Sequence, residues 1–394
     1  MPALAEAFLP YGRQTIDEAD IAAVAAALRG EYLTTGPTVA GFDADFARAV
    51  GAAHAVSCAN GTAALHLAAL ALGLGPGDVV IVPTVTFLAT ANAARYVGAE
   101  VQFADVDPDT GLLTPETLSR AAEAARKAGG AVKSVFPVHL GGNVCDMAAI
   151  GAIARRAAWS IVEDACHAIG TAEIGACRNS DMAVFSLHPV KTITAGEGGV
   201  VTTQQPKLAE RLARLRSHGM VRDPGTFTEK DQAFDGGGAA NPWYYEMHEP
   251  GFNYRLTDIQ AALAASQLKK LTAFVARRQT LAARYDRLLA RLAPAVRPVP
   301  RVGAPALHLY AVLIDFAAGK SRSEIMRALR AADIGTQVHY IPVHRQPYYR
   351  ARYGKLDLPG ADAYYARTLS LPLFPAMVDA DVDRVVAALT RVIG

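Results

Sequence analysis

The feature that most constrains the fold is an alternation of short apolar runs with longer helical stretches across residues 61–203. Helical spacing in GTAALHLAALALGL and PETLSRAAEAARKAG alternates with strand-like runs such as VVIV, EVQFADV, AVKSVFPV, SIVEDA, MAVFSL and GVVTT. Strands that alternate with helices form βαβ units, whose strands run parallel. The sequence therefore predicts an α/β fold with a mostly parallel sheet flanked by helices.

The pattern changes near Asn253, where LTDIQAALAASQLKKLTAFVARRQTLAARYDRLLARL predicts one long helix capped by Thr257 or Asp258. After a proline-rich link, HLYAVLIDF and GTQVHYIPV predict strands and RSEIMRALRAA predicts a helix. These elements indicate a smaller α+β domain, so we expect a large domain at 1–260 and a small one at 261–394. Segment 222–251 has the length of loops that are functional or mobile.

The bulk composition excludes several function classes. The 394 residues carry 39 basic and 37 acidic side chains, a net charge of +2, which gives no general attraction for nucleic acid or an anionic membrane. No run reaches the ~18 apolar residues of a membrane span, and MPALAEAFLPYGRQ lacks the pattern of a signal peptide. The four cysteines form no C-x-x-C pair. We therefore expect a reduced, cytoplasmic protein.

One lysine occupies a conspicuous place in SLHPVKTITAGEGG, residues 186–199. The preceding DMAVFSL predicts a strand, and Pro189 ends its ladder because proline has no N–H to donate. Lys191 therefore lies on a turn just past the carboxyl end of a strand, where open α/β sheets carry their chemistry. Taken alone it would be a surface lysine, because lysine is seldom fully buried.

Two further segments supply complementary groups. SCANGTAALHLA places Gly61 and Thr62 at a helix start, which binds anions but is also an ordinary cap. SIVEDACHAIG ends a strand with Glu163, Asp164 and His167, and a carboxylate there is either structural or the partner of a buried cation. An anion cup, a carboxylate and Lys191 together match the needs of pyridoxal phosphate (PLP): a Schiff-base lysine, a phosphate site and a partner for the pyridine nitrogen.

The sequence resembles the sugar aminotransferases of the DegT/DnrJ/EryC1/StrS family, a branch of the fold-type-I PLP enzymes. The resemblance covers nearly the whole chain and includes CANGTAALHLA, VPTVTFLATANA, VEDACHAIG, FSLHPVKTITAGEGGVVTT and GFNYRLTDIQAALAASQL. SLHPVKTIT, PWYYEMHEPGFNYRLTDIQ and QVHYIPVHRQPYY are most similar to the branch that serves pseudaminic-acid biosynthesis. That similarity implies amination of C4 of a UDP-linked 4-keto-6-deoxy-N-acetylhexosamine, with L-glutamate as donor.

The resemblance also implies roles for single residues around the cofactor. Lys191 would form the Schiff base and move the proton, Asp164 would pair with the pyridine nitrogen, and His167 would lie near the ring. Phe87 would stack on the ring, the alternative being an ordinary core phenylalanine. The phosphate would be held by Gly61, Thr62, Ser186 and, from the neighbouring subunit of a homodimer, Asn253.

Substrate contacts are expected at three places in the sequence. Thr34 and Thr35, a turn by sequence alone, would touch the nucleotide sugar. Arg255 would either meet a donor carboxylate or phosphate or cap the long helix. His339, Tyr340 and His344 would line the sugar site; a metal site at His339 and His344 is disfavoured because H-x₄-H on such a segment is poor ligand geometry.

Three further features near the candidate site complete the interpretation. His188 either orients the lysine turn or caps it, and we favour the structural role. Cys166 and Val200 stand where relatives often carry alanine, and we expect the chemistry to be unchanged. Glycines 196, 198 and 199 make the segment after Lys191 a tight turn.

Other functions stay open at this point. The substrate could be another 3- or 4-ketosugar linked to dTDP or GDP, and the sugar and regiochemistry are undetermined. Family members that dehydrate sugars at C3 replace the lysine with histidine, so Lys191 disfavours that reaction. A non-catalytic PLP- or nucleotide-sugar-binding regulator would be marked by a lost lysine, a lost aspartate or an added DNA-binding module, and the sequence shows none of these.

Overall fold

The computed structural model describes residues 8–316 and 319–393. Residues 1–7, part of the segment searched for a signal peptide, lie outside the described residues. The helices are α1 Glu18–Arg29, α2 Pro37–Val50, α3 Gly61–Ala71, α4 Leu88–Tyr96, α5 Pro115–Lys127, α6 Met147–Ala157, α7 Pro206–Arg216, α8 Lys230–Ala233, α9 Asp258–Leu268, α10 Leu271–Leu289, α11 Arg322–Ala331, α12 Pro347–Tyr353, α13 Pro359–Arg367 and α14 Asp379–Ile393. The strands are β1 His54–Cys58, β2 Asp78–Pro83, β3 Glu100–Ala104, β4 Ala131–Val135, β5 Ser160–Asp164, β6 Met182–Ser186, β7 Gly199–Thr203, β8 Met220–Val221, β9 Glu246–Met247, β10 Val296–Pro298, β11 Tyr310–Ile314 and β12 Thr368–Leu371.

A seven-stranded sheet forms the centre of the larger unit, in the order β1-β7-β6-β5-β4-β2-β3. Strands β2 to β6 pair in parallel, whereas β7 runs antiparallel to both β6 and β1. The predicted α/β fold with a mostly parallel, helix-flanked sheet is confirmed. Because β5 and β6 are parallel neighbours, Asp164 and the turn carrying Lys191 leave the sheet at the same edge.

The side chains of β6 point alternately to the two faces of the sheet, and helices cover both faces. Met182 and Val184 pack into the core beneath α3, while Ala183 and Phe185 pack into the core beneath α2 and α9. Strand residues on opposite faces of a sheet alternate with period two, so each face receives a complete apolar row. Helices α5 and α6 pack against strands β2 to β5 through a further apolar cluster.

The smaller unit is built on the antiparallel sheet β10-β11-β12. Apolar residues of α10, α11 and α14 pack together with this sheet. Two segments cross between the units: Leu9 packs into the core of the smaller unit, whereas Val343 and Tyr349 pack into the core of the larger sheet. A division of the chain near residue 260 stays a prediction.

The single helix predicted from Leu256 onward is wrong, because the structure has two helices, α9 and α10. The break falls at Lys269 and Lys270, and the Lys270 ammonium forms ion pairs with Asp17 and Asp20 at the start of α1. The side chains of Ser266 and Gln267 also donate to Asp20. These bonds fix the end of α9 against α1, while α10 turns towards the smaller unit.

The strand predicted at 335–343 is also wrong. Gln337 forms an isolated bridge with Ser370, and the rest of the segment is irregular up to Pro342. His339 and Tyr340 in this segment line a cavity, described below, rather than a sheet face.

Segment 222–251 is organised around one buried carboxylate. Glu246 accepts hydrogen bonds from the N–H groups of Thr228 and Glu229 and from the side chains of Tyr244 and His248. Burial alone would raise the pKa of Glu246, but these hydrogen bonds, with that from His248 the largest, lower it to about 2. In the part of the chain that the structure describes, no helix is long and apolar enough to cross a membrane.

Candidate active site

A cavity of about 610 Å³ lies at the carboxyl ends of β5 and β6. Open α/β sheets bind ligands at this edge. Most of the residues predicted for the site line it: Gly61, Thr62, Phe87, Asp164, His167, Ser186, Lys191, His339 and Tyr340. Residues distant in sequence are thus brought together as predicted.

Lys191 lies on the turn after β6, with its N–H donating to the carbonyl of His188 at 2.9 Å. The side chain lines the cavity, so it is not a surface lysine. Burial lowers the pKa of the Lys191 ammonium, against the opposing effect of Cys166 and Asp164. A lysine with a lowered pKa is a better base and nucleophile near neutral pH.

Asp164 is a buried carboxylate at the end of β5, only 5% exposed. One oxygen accepts a hydrogen bond from the Thr90 hydroxyl at 2.6 Å, and the other accepts the N–H of Cys166 at 3.2 Å. Among residues 8–316 and 319–393, no basic side chain forms an ion pair with it. Because a buried charge without a counter-charge is costly, a cationic group in the cavity would satisfy this carboxylate. The protonated pyridine nitrogen of PLP fits that requirement.

The start of α3 presents the groups predicted for an anion site. Asn60 caps the helix by accepting the N–H of Ala63 at 2.8 Å, which leaves the N–H groups of Gly61 and Thr62 without a partner inside the helix. The cap therefore leaves these two donors available to an anion. A Cβ on Gly61 would lie 3.0 Å from Cβ of Ser186, so the glycine lets the helix start approach the serine. Together these groups suit a phosphate.

Aromatic side chains form another wall of the cavity. The Phe87 ring is 55% exposed and lies 6.0 Å from that of Tyr340, so the alternative of an ordinary core phenylalanine is wrong. The ring of Tyr340 stacks on His167, and His339 binds the hydroxyl of Ser370 at 2.8 Å. Burial lowers the pKa of both histidines, that of His339 to about 3.

Five predicted residues do not line this cavity: His344, Thr34, Thr35, Asn253 and Arg255. The last four lie instead around the start of α9. Thr34 bridges Thr257, and Asn253 bridges Ser217. Arg255 donates to the hydroxyl of Ser217 at 3.3 Å, while Thr257 caps α9, so the alternative of Arg255 as that cap is wrong.

Two neighbouring groups have structural partners. Glu163 binds His139 at 2.8 Å and the hydroxyl of Ser180, away from the cavity. His344 binds the Thr84 hydroxyl at 2.7 Å. The described ranges contain no group of three or more His, Cys, Asp or Glu residues that could hold a metal ion.

Sequence reasoning missed several groups at the site: Thr90, Tyr11 and His308. Thr90 stands in the TFLAT motif, three residues after Phe87, and a hydroxyl at that spacing could have been tested against the carboxylate. Tyr11 lines the cavity from near the start of the chain, and His308 packs its ring 4.6 Å from that of His167. No sequence signal links either residue to the site.

A lysine and a buried carboxylate at adjacent strand ends, beside the start of α3, are the arrangement expected of a fold-type-I PLP-dependent aminotransferase. The model of the DegT/DnrJ/EryC1/StrS aminotransferase family matches residues 14–390. The chain belongs to this family and is a PLP-dependent sugar aminotransferase.

The chain is similar to known proteins over almost all of its length. The spore coat polysaccharide biosynthesis protein SpsC of Bacillus subtilis (strain 168) is 40% identical over 395 residues, covering 98% of this chain and 97% of SpsC. Helicobacter pylori PseC, an aminotransferase involved in the biosynthesis of pseudoaminic acid, superposes with a TM-score of 0.87 at 25% identity, covering 98% of this chain and 99% of PseC. The sugar aminotransferase Spr1654 of Streptococcus pneumoniae, in its PLP form, has a TM-score of 0.83 at 26% identity, covering 98% of this chain and all of the other.

Proposed function

We propose that this enzyme transfers the amino group of L-glutamate to C4 of a UDP-linked 4-keto-6-deoxy-N-acetylhexosamine, in a pathway of the pseudaminic-acid type. The observation that carries the substrate assignment is the similarity to PseC over 98% of the chain. The reaction class rests on the family and on the cavity that holds Lys191 and Asp164.

We assign each part of the cofactor to groups that the cavity presents. The phosphate lies at the start of α3, near Gly61, Thr62 and Ser186. Asp164 holds a proton on the pyridine nitrogen, and the Thr90 hydroxyl fixes the orientation of that carboxylate. When bound, PLP supplies an electron sink that lets an amino acid lose its α-proton.

Lys191 acts as the base in this proposal. Its Nζ would move the proton from Cα of glutamate to the cofactor carbon that keeps the amino group, and in the second half-reaction it would move a proton from that carbon to C4 of the sugar. Burial favours the neutral amine that this role requires. Asp164 balances the charge that Lys191 gains when it holds the proton.

We further propose a homodimer in which the partner completes the site. The UDP diphosphate needs positive charge, yet of the described residues lining the cavity only Lys191 is a lysine or an arginine. Asn253, Thr34, Thr35 and Arg255 gather around the start of α9, and Tyr32 and Leu33 beside them are exposed. In this arrangement Asn253 reaches the cofactor phosphate of the neighbouring subunit, and the residues beside it reach the nucleotide sugar.

A second candidate substrate is favoured by SpsC, which is named for spore coat polysaccharide biosynthesis and is the more identical relative at 40%. It is another nucleotide-linked 3- or 4-ketosugar destined for a surface polysaccharide, with dTDP as the alternative carrier. A non-catalytic PLP- or nucleotide-sugar-binding regulator is disfavoured because Lys191 and Asp164 both face the cavity. We place the enzyme in the cytoplasm, where nucleotide sugars are made.

The test is the absorption spectrum of the cofactor-loaded enzyme with L-glutamate and then with a panel of ketosugars. We expect glutamate to bleach the yellow band, and only a UDP-4-keto-N-acetylhexosamine to restore it. Restoration by a dTDP-ketosugar alone would replace the proposed substrate with the second candidate. A band that glutamate leaves unchanged would refute the donor.

A further inference from the structure

A chain of two hydrogen bonds runs from the backbone to the cavity. The N–H of Gly141 donates to Nδ1 of His167 at 3.1 Å, and Nε2 of His167 lies 3.1 Å from the hydroxyl oxygen of Tyr340. A backbone N–H can only donate, so Nδ1 must offer its lone pair. The backbone N–H of Gly141 thereby favours the imidazole form in which Nδ1 carries no proton.

His167 is neutral in this environment. It is 6% exposed, and burial, which disfavours the charged imidazolium, holds its pKa well below the ordinary value. The adjacent His308 has its pKa lowered in the same way, so it brings no charge of its own. A neutral histidine whose Nδ1 accepts carries its single proton on Nε2. That N–H must donate to the oxygen of Tyr340.

The direction of this bond decides where the hydrogen of Tyr340 points. Nε2 has no lone pair left, so the tyrosine cannot donate back to it, and its hydroxyl has no other hydrogen-bond partner in the ranges that the structure describes. Burial, and then the charge of Asp164, raises the pKa of Tyr340 well above its ordinary value, which keeps the hydroxyl protonated. The side chain lines the cavity, so its hydrogen is available there.

We propose that Tyr340 is an obligatory hydrogen-bond donor of the active site and that His167 is its positioning residue. The acceptor is an oxygen that holds or develops negative charge, either the ring oxygen of PLP or the carbonyl oxygen of the ketosugar. His167 has both nitrogens engaged within the protein and offers none to a ligand. This inference rests on the proposed function, because it assigns residues of that same site.

The first test measures the imidazole directly. In the PLP-loaded enzyme labelled with ¹⁵N-histidine, the signals of His167 are identified by their loss in His167→Asn. We expect an unprotonated Nδ1 and a protonated Nε2 from about pH 6 to about pH 8. Protonation of Nδ1 in that interval would overturn the proposal, whether or not the enzyme accepts the sugar we assign.

The second test removes only the hydroxyl, in Tyr340→Phe. If the acceptor is the cofactor, its absorption band should titrate about one pH unit higher, because the ring oxygen loses a donor that favours its deprotonated form. If the acceptor is the ketosugar, the titration should be unchanged and the amination half-reaction should slow by about 100-fold, with glutamate still bleaching the band at the wild-type rate.

A matched control separates loss of this donor from loss of any buried tyrosine hydroxyl. Tyr349 donates to Asn92 at 2.8 Å in the core, so Tyr349→Phe makes the same chemical change away from the cavity. It should alter neither the titration nor the half-reactions. A Tyr340→Phe enzyme that matches Tyr349→Phe in both measurements would overturn the proposal.

If glutamate bleaches the cofactor band of the wild-type enzyme but no ketosugar restores it, the substrate assignment fails. The titration and the ¹⁵N measurement still decide the role of Tyr340 in that case.

Discussion

Replacing Thr90 by valine should reveal how strongly the structure supports the buried charge of Asp164. Valine keeps the shape of threonine and removes the hydroxyl that donates to the carboxylate at 2.6 Å. Thr90 is fully buried, so water cannot replace the lost donor. A hydrogen bond to a charged group contributes about 1.5–3 kcal/mol, and we expect the free energy of unfolding to fall by about that amount.

The matched control is Thr203→Val in β7. Thr203 is equally buried, but its hydroxyl donates to the neutral backbone carbonyl of Asp181 at 2.7 Å. Each hydroxyl also has a second partner, the Thr86 hydroxyl at 2.7 Å for Thr90 and the N–H of Gln205 at 3.1 Å for Thr203. The expected loss there is about 1 kcal/mol. The wild type and both variants are unfolded in urea without PLP, because bound cofactor adds a stability that depends on its affinity for each variant.

The comparison has a clear refuting result. If Thr90→Val destabilises the enzyme no more than Thr203→Val does, Asp164 is not a charged acceptor and cannot hold the proton on the pyridine nitrogen. A larger loss should be accompanied by weaker binding of PLP, measured by titrating the cofactor-free variant, because the carboxylate would no longer be held in one orientation.

Three further predictions address the lysine, the phosphate cup and segment 222–251. Lys191→Ala should bind PLP without turnover, and measurable transamination by this variant would contradict its role as the base. In Gly199→Ala the added Cβ would overlap the carbonyl oxygen of Asn60 and displace the start of α3, so we expect PLP affinity to fall by about 10-fold or more. The control is Gly236→Ala, whose added Cβ meets no neighbouring atom within 4 Å and which should bind PLP normally. Because the pKa of Glu246 is lowered to about 2, its contribution to the order of segment 222–251 should be complete above about pH 4.3 and be lost as the pH falls towards 2. Proteolysis of that segment at neutral pH should be faster in Glu246→Gln, and equal rates would show that the carboxylate does not organise it.

The parts of the site that sequence reasoning could predict are those determined by local order. Lys191 and Asp164 each follow a strand, and parallel neighbours leave a sheet at one edge, so two local patterns imply a shared position. Gly61 and Thr62 follow from a cap motif in the same way. Each prediction needed only the elements directly before and after the residue.

The features of the site and the fold that the sequence did not predict depend on contacts between distant segments. His167 could be placed near the cofactor, but its engagement with Gly141 and Tyr340 joins three separate stretches of chain. The break between α9 and α10 likewise depends on Lys270 meeting the acidic start of α1. Helical periodicity continues through that point, so a pattern within one segment contains no sign of the turn.

The crossing of segments between the two units has a consequence for how this chain can evolve. A chain cut near residue 260 would remove Val343 and Tyr349 from the core of the larger sheet, and its carboxyl-terminal piece would lack Leu9. Neither piece would then have a closed apolar interior. Gene recombination that exchanges the carboxyl-terminal part with that of a relative must therefore bring residues that fit both apolar cores.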